Sequence, residues 1–406
     1  MSASLPWSDP QFWIASGAVA AVAAVAVRRA LRPSRHPELP CARCPKAAAH
    51  GRAVPAPGVR PVAGGVGESR RRLPILLLAL GLAASAAWAE RAERRVAAMG
   101  TTFTLEVEAT DRATALAAAE ALVAAVADAE ARLSTWREDT ELARFNRAGA
   151  GAPVALSAPT FAELAAALEC SVETGGAFDP TVAPLVEAWN LRGGGRVPTA
   201  AEIAAARAEV GAATRLAPVA GERSLVKRAP VRIEEGGFGK GAALARALAA
   251  AAASGVEARL DLGGQLAWTA RAAPFRAEIA DPRDRARPVV AVELGAGSGS
   301  LATSGNSERA RDVVGQRIGH LLDPASGRPA PDFGSVTVLS TEPQRADCLS
   351  TALFVLGPER GLAWLAAHPG DEAVFLVVEA GRLSVRATPG LAGRLSALAP
   401  EVEPQI

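Results

Sequence analysis

After residue 90, strand-like and helix-like stretches follow one another without strict βαβ alternation. That irregular order restricts the fold more than any single motif, and it points to an α+β domain of mixed sheet and helices. Residues 99–108 (Met99 to Glu108) alternate as a half-buried strand does. Asp111 starts an alanine-rich helix to about Leu133, and a second helix follows the cap expected at Asp139/Thr140. Further helices fit Ala158 to Thr174, a short segment from Pro198-Thr199, a stretch running to about Ser254, Leu349 to Leu356, and residues 359–367. Strands fit residues 214–218, 223–227, 230–233, 259–262, 275–280, 288–294, 373–378 and 382–386. The tail after Ala387 reads as peripheral.

The chain has 406 residues, enough for one large or two ordinary domains. A net charge of +2 gives no sign of a nucleic-acid partner. Residues 11–27 are uncharged and just long enough for a short membrane span, within a segment 1–35. Residues 36–72 read as a disordered basic linker; from Arg28 to Arg72 there are eleven Lys or Arg against two acids. The linker holds Cys41-Ala-Arg-Cys44, a single C-x-x-C pair without a second half. Arg70-Arg71-Arg72 then precedes the apolar run 73–89, which ends Ala87-Trp88-Ala89. That run reads as a second membrane span or as a signal peptide. In the second case Val66 offers an alternative start, with residues 1–65 coming from an upstream frame or a fusion. Either way, residues 90–406 are expected outside the cytoplasmic membrane. Cys170 and Cys348 lie in apolar helical text and read as buried free thiols.

Chemistry concentrates in four places. Gly175-Gly176-Ala177-Phe178-Asp179-Pro180 makes a tight turn with exposed backbone N–H groups, or an ordinary helix end. Glu234-Glu235-Gly236-Gly237-Phe238-Gly239-Lys240-Gly241 opens a helix and has the general form of a phosphate cradle, without the spacing of a P-loop. His320 stands at the end of a strand-like run before an Asp-Pro turn, either functional or a satisfied surface histidine. Asp347, Ser350 and Thr351 open the apolar helix at spacings of three and four, which puts three oxygens on one face. That pattern suits a phosphate held with Mg²⁺; a simple N-cap explains it too.

Five motifs in order, spread from about Met99 to Val385, resemble the ApbE family of FAD:protein FMN transferases. They are Met99-Gly100-Thr101, Leu133-Ser134-Thr135-Trp136 with Arg144-Phe145-Asn146, Gly175 to Pro180, Gly236 to Gly241, and the region from Thr303 to Phe354. The resemblance implies an ApbE-like, T-fold-like domain over residues 90–390 with a peripheral tail at 391–406. It implies a periplasmic enzyme at the bacterial inner membrane that splits FAD with Mg²⁺ and joins FMN to a Thr or Ser hydroxyl, releasing AMP. The implied acceptor is a flavin-carrying subunit of a membrane electron-transport complex. FAD pyrophosphatase and non-catalytic FAD binding are the alternatives. Carried over by position, Met99, Trp136, Ala177, Phe178, Asp179, Glu234, Lys240 and Leu321 would hold FAD. Gly237, Asp347, Ser350 and Thr351 would hold Mg²⁺, and His320, with Asp347 second, would take the hydroxyl proton. Two positions depart from the family: Ala245 and Gln265 stand where it commonly has aspartate.

Overall fold

A computed structural model describes residues 90–406 apart from Ala272, Glu308, Arg309, Val314, Glu401, Glu403 and Ile406. The expected membrane segments 1–35 and 73–89, the linker with Cys41 and Cys44, and Val66 lie outside the described residues. Among the described residues no helix is long and apolar enough to cross a membrane.

The centre is a nine-stranded sheet whose strands lie side by side in chain order. They are β1 (Glu90–Ala98), β2 (Thr101–Ala109), β3 (Glu257–Leu262), β4 (Gln265–Trp268), β5 (Gly299–Gly305), β6 (Gly334–Ser340), β7 (Glu372–Glu379), β8 (Arg382–Ala387) and β9 (Pro404–Gln405). All neighbours pair antiparallel except β8 and β9, which are parallel. The helices are inserted between strands, not alternated with them, so the fold is α+β as the element order implies.

The two ends of the sheet are covered differently. In β2, Phe103, Leu105 and Val107 are fully buried and their polar neighbours face outward. They pack under α1 (Arg112–Leu133) and α3 (Gly239–Ser254), whose alanines, Ala115, Ala118, Ala243 and Ala247 among them, belong to the same core cluster. At the other end, Ala373 to Val377 of β7 are buried in an unbroken run. Ala373, Phe375 and Val377 share a core with α2 (Ala158–Glu173) and α4 (Pro343–Ala367). Val374 and Leu376 join the opposite core, together with Val290 and Val292 of a second sheet. A strand covered on both faces loses its alternation for this reason.

Four segments differ from expectation. Residues 230–233 form no strand, although Val231 and Ile233 point inward. The Asn146 side chain takes the place of a partner strand: its Nδ2 donates to the Ile233 carbonyl and its Oδ1 accepts from the Ile233 N–H, both at 2.8 Å. Residues 214–218 divide into the end of a short helix, Ala212–Arg215, and the strand Leu216–Pro218. The helix expected over Leu349 to Leu356 begins earlier, at Pro343, and runs into the one expected at 359–367. Between them Gly357 sits at φ 77° before Pro358, which cannot donate to the preceding turn and kinks the helix. The segment 391–406, expected to be peripheral, pairs Leu395–Ala397 with the strand Asp284–Leu294 and adds β9 to the main sheet.

Candidate active site

The start of α3 and the first turns of α4 are locked together through Asp347. Phe238 precedes α3 and offers it no side-chain cap. Asp347 supplies one from the neighbouring helix: its Oδ2 accepts from the Gly241 N–H at 2.9 Å, and its Oδ1 accepts from Lys240 Nζ at 3.1 Å. A carboxylate at a helix N-terminus is favoured by the helix dipole and by the free N–H groups there. The approach requires glycine. A Cβ on Gly241 would lie 2.4 Å from the Pro343 carbonyl oxygen and 2.8 Å from the Asp347 Cβ. Gln265, at one of the departures, donates from Nε2 to that same Pro343 carbonyl at 2.9 Å and so ties β4 to the start of α4. The other departure, Ala245, lines an apolar groove along α3 that also includes Leu248, Ala249 and Pro343.

Because α4 starts at Pro343 after Glu342, Asp347 lies a turn inside the helix and does not cap it. The three oxygens at 347, 350 and 351 are also not equivalent. Ser350 Oγ donates back to the Asp347 carbonyl at 2.9 Å, is bonded to Ser304 Oγ of β5 at 2.8 Å, and is buried. It faces the sheet. Thr351 is half-buried, and its Oγ1 lies 3.3 Å from where a Cβ on Gly237 would stand. The edge of the Phe178 ring is 3.0 Å from that same point. Asp347, Thr351 and the backbone at Gly237 thus collect beside the start of α3, with Lys240 among them. Among the described residues no group of three or more His, Cys, Asp or Glu could hold a metal. One carboxylate, one hydroxyl and backbone oxygen nevertheless make a hard donor set of the kind that suits Mg²⁺, which keeps several of its waters. Both bonded oxygens of Asp347 retain lone pairs for such an ion.

A second cluster lies at the other end of the segment 234–241. Glu234 and Glu235 sit side by side, both mostly buried. Burial, then the neighbouring Glu235 charge, pushes the Glu234 carboxyl up to about 7, while Arg192 pulls the other way. The Arg192 guanidinium is paired with Glu234 and donates to the Thr135 carbonyl at 2.9 Å and to the Thr135 hydroxyl. Thr135 in turn donates to Glu235. The same guanidinium lies 4.5 Å above the centre of the Trp136 ring, a side chain that is 69% exposed. Met99, in the β1–β2 turn, takes a left-handed φ of 50°, rare for a residue with a side chain. Its Cε reaches within 3.4 Å of where a Gly239 Cβ would stand, next to Glu235.

The remaining residues are placed less directly. Phe178 is buried in the core. Asp179 accepts from the Thr181 N–H at 2.8 Å, the Thr181 hydroxyl at 2.6 Å and the Ala212 N–H at 2.9 Å. Burial raises its pKa against those bonds, and both its oxygens are committed to the loop. Ala177 is half-buried in the same turn, which hydrogen-bonds on to Glu234 through the Pro180 carbonyl at 2.8 Å. His320 is half-buried in the loop before Leu321. Leu321 is buried in the core cluster of Phe178 and Phe238, and its carbonyl accepts from the Ala330 N–H at 2.8 Å. Sequence reasoning singled out neither Arg192 nor the Glu235–Thr135 contact. Thr135 lies inside one of the family motifs and Glu235 directly before another, but Arg192 lies in a glycine-rich loop with no periodicity to mark it.

The sequence and the fold belong to a known class. A model of the ApbE family matches residues 99–376. The FAD:protein FMN transferase of Klebsiella pneumoniae is 33% identical over 294 residues, 70% of this chain and 83% of that protein. The apo crystal structure of the Pseudomonas stutzeri flavinyl transferase ApbE superposes with a TM-score of 0.67 at 30% identity, covering 75% of this chain and 97% of that one. The ApbE protein of Thermotoga maritima superposes with a TM-score of 0.69 at 27% identity, covering 75% and 99%. The chain belongs to the ApbE family. Its enzyme class is that of the named relatives, FAD:protein FMN transferase.

Proposed function

We propose that the chain moves FMN from FAD to a Thr or Ser hydroxyl of an acceptor protein, with Mg²⁺, and releases AMP. The observation that most supports this reading is the Asp347 carboxylate held between Lys240 and the start of α3, next to Thr351 and Gly237. The acceptor oxygen forms a bond to the FMN phosphorus, the pyrophosphate P–O bond breaks, and the AMP phosphate leaves with the electron pair. Mg²⁺, when bound, neutralises charge developing on the phosphoryl oxygens. Asp347, Thr351 and the Gly237 carbonyl would hold it. Both hydroxyls donate back to the Asp347 carbonyl, Ser350 at 2.9 Å and Thr351 at 3.3 Å; Ser350 is less suited because it is also buried and bonded to Ser304. Lys240 places a positive charge beside the phosphates. His320 is the first candidate to take the hydroxyl proton, and Asp347 the second. The Trp136, Glu234 and Met99 side receives a ring system of FAD. The acceptor is a flavin-carrying subunit of a membrane electron-transport complex, and the domain works on the periplasmic face. The apolar stretches 11–27 and 73–89 support that location.

The test is intact-protein mass spectrometry of an acceptor subunit incubated with the chain, FAD and Mg²⁺. A gain of one FMN that EDTA abolishes is expected. Free FMN and AMP without that gain would mean hydrolysis instead. His320→Ala is expected to lose transfer and keep FAD binding; loss of both would make His320 a structural residue.

A further inference from the structure

We infer that Arg192 is a positioning residue for FAD: it backs one face of Trp136 and so presents the other face to a planar ring of the substrate. The inference rests on the reading of the Trp136 side as part of the FAD site. Trp136 is the most exposed of the large apolar side chains among the described residues. Its ring lies beside a largely buried polar cluster, and an exposed indole face is a surface on which a flat ring can stack. Arg192 lies 4.5 Å from the ring centre on one side. It is not a loose surface arginine. Its guanidinium is anchored to the Glu234 carboxylate, the Thr135 carbonyl and the Thr135 hydroxyl, so three partners fix the group that covers the ring. Thr135 is also the residue before Trp136, so the anchor and the ring move together.

The arrangement does two things. The cation over the indole holds the ring against rotation, and a ring that is already fixed loses less freedom when a ligand stacks on it. Blocking one face also leaves a single face for stacking. FAD carries two planar heteroaromatic rings, isoalloxazine and adenine, and either satisfies this chemistry. A lysine does not replace the arginine here, because a point charge cannot span a carboxylate, a carbonyl and a hydroxyl in one plane.

A double-mutant cycle on binding to the full-length chain tests the role. FAD dissociation constants are measured in Mg²⁺ for the wild type, Arg192→Ala, Trp136→Ala and the double variant. FMN and AMP are measured alongside to show which ring stacks. Arg192→Ala is expected to weaken FAD binding roughly five-fold in the wild-type background. In the Trp136→Ala background it is expected to weaken binding by less than about two-fold. Arg192→Lys is expected to stay close to Arg192→Ala. The same loss in both backgrounds overturns the inference, because Arg192 then acts without Trp136. No loss in either background overturns it as well. A wild-type chain that binds neither FAD, FMN nor AMP overturns the FAD-site reading itself and the role of Arg192 with it, and is told apart by the wild-type measurement alone.

Discussion

Asp347 and Trp136 stand at opposite ends of the short segment 234–241 and are held by opposite means. Asp347 is buried where two helices cross, and a glycine, a lysine and a helix terminus close around its carboxylate. Trp136 is open to solvent and is kept in place by one arginine from a distant loop, itself tethered to side chains and one carbonyl. The first arrangement cannot shift without separating α3 from α4. The second leaves the ring exposed, so a ligand can come and go without disturbing the packing. A phosphoryl-transfer centre gains from fixed charges, whereas a platform for a ring must let its ligand in and out.

The contrast predicts unequal consequences for substitutions. Asp347→Ala removes the carboxylate at the centre of the helix crossing, and acceptor flavinylation in Mg²⁺ is expected to fall about a thousand-fold or more. An activity that still rises with Mg²⁺ as the wild type's does would place the metal elsewhere. Gly241→Ala comes next. Its Cβ would overlap the Pro343 carbonyl, so the helices must part, at a cost of about 1–3 kcal/mol in denaturant unfolding and with loss of transfer. An unchanged unfolding midpoint would show that the crossing is softer than its geometry implies.

The helix crossing was legible in the sequence to a useful degree, and the loop side was not. Glycines and a lysine before an apolar helix, and oxygens at three- and four-residue spacing, are local signals, and both led to segments that do meet. Spacing alone could not say which of the three oxygens faces the site. Ser350 and Thr351 are adjacent on the helix, and only the packing against Ser304 turns one of them toward the sheet. The pairing of Arg192 with Trp136 joins residues 56 positions apart in loops, where no period exists to read (192 − 136). The strand expected at 230–233 failed for a related reason. Its alternation was real, but its hydrogen-bonding partner is a single asparagine side chain.

A finer test separates the two hydroxyls of α4. Ser350→Ala removes two buried hydrogen bonds, to Ser304 Oγ and to the Asp347 carbonyl, and is expected to cost about 1–2 kcal/mol of stability with little change in the Mg²⁺ requirement. Thr351→Ala is expected to do the reverse: nearly unchanged stability, and about a ten-fold higher Mg²⁺ concentration for half-maximal transfer. If Ser350→Ala moves the Mg²⁺ requirement and Thr351→Ala does not, the sheet-facing hydroxyl is the ligand after all, and the geometry around Gly237 has another purpose.

The smallest expected effect lies on the loop side and is read through pH. The Glu234 carboxyl is pushed from its ordinary 4.5 up to about 7, first by burial and then by Glu235. Its folded-state affinity for a proton is therefore higher than in the unfolded chain. Between about pH 4.5 and pH 7 the folded protein keeps a proton that the unfolded chain has released, so this group's contribution to stability is complete at the acid end and is lost as pH rises through that window. Glu234→Gln removes the titration and keeps the side chain's shape. From about pH 5 to about pH 8 the wild-type melting temperature is expected to fall by about 2 °C more than that of Glu234→Gln. Arg192 sharpens the test, since it favours the ionised form and limits the shift. In an Arg192→Ala background the extra fall between wild type and Glu234→Gln should widen, because burial and Glu235 then act unopposed. Parallel curves for wild type and Glu234→Gln in both backgrounds would mean that Glu234 stays ionised in the folded protein throughout this range and that burial does not raise it.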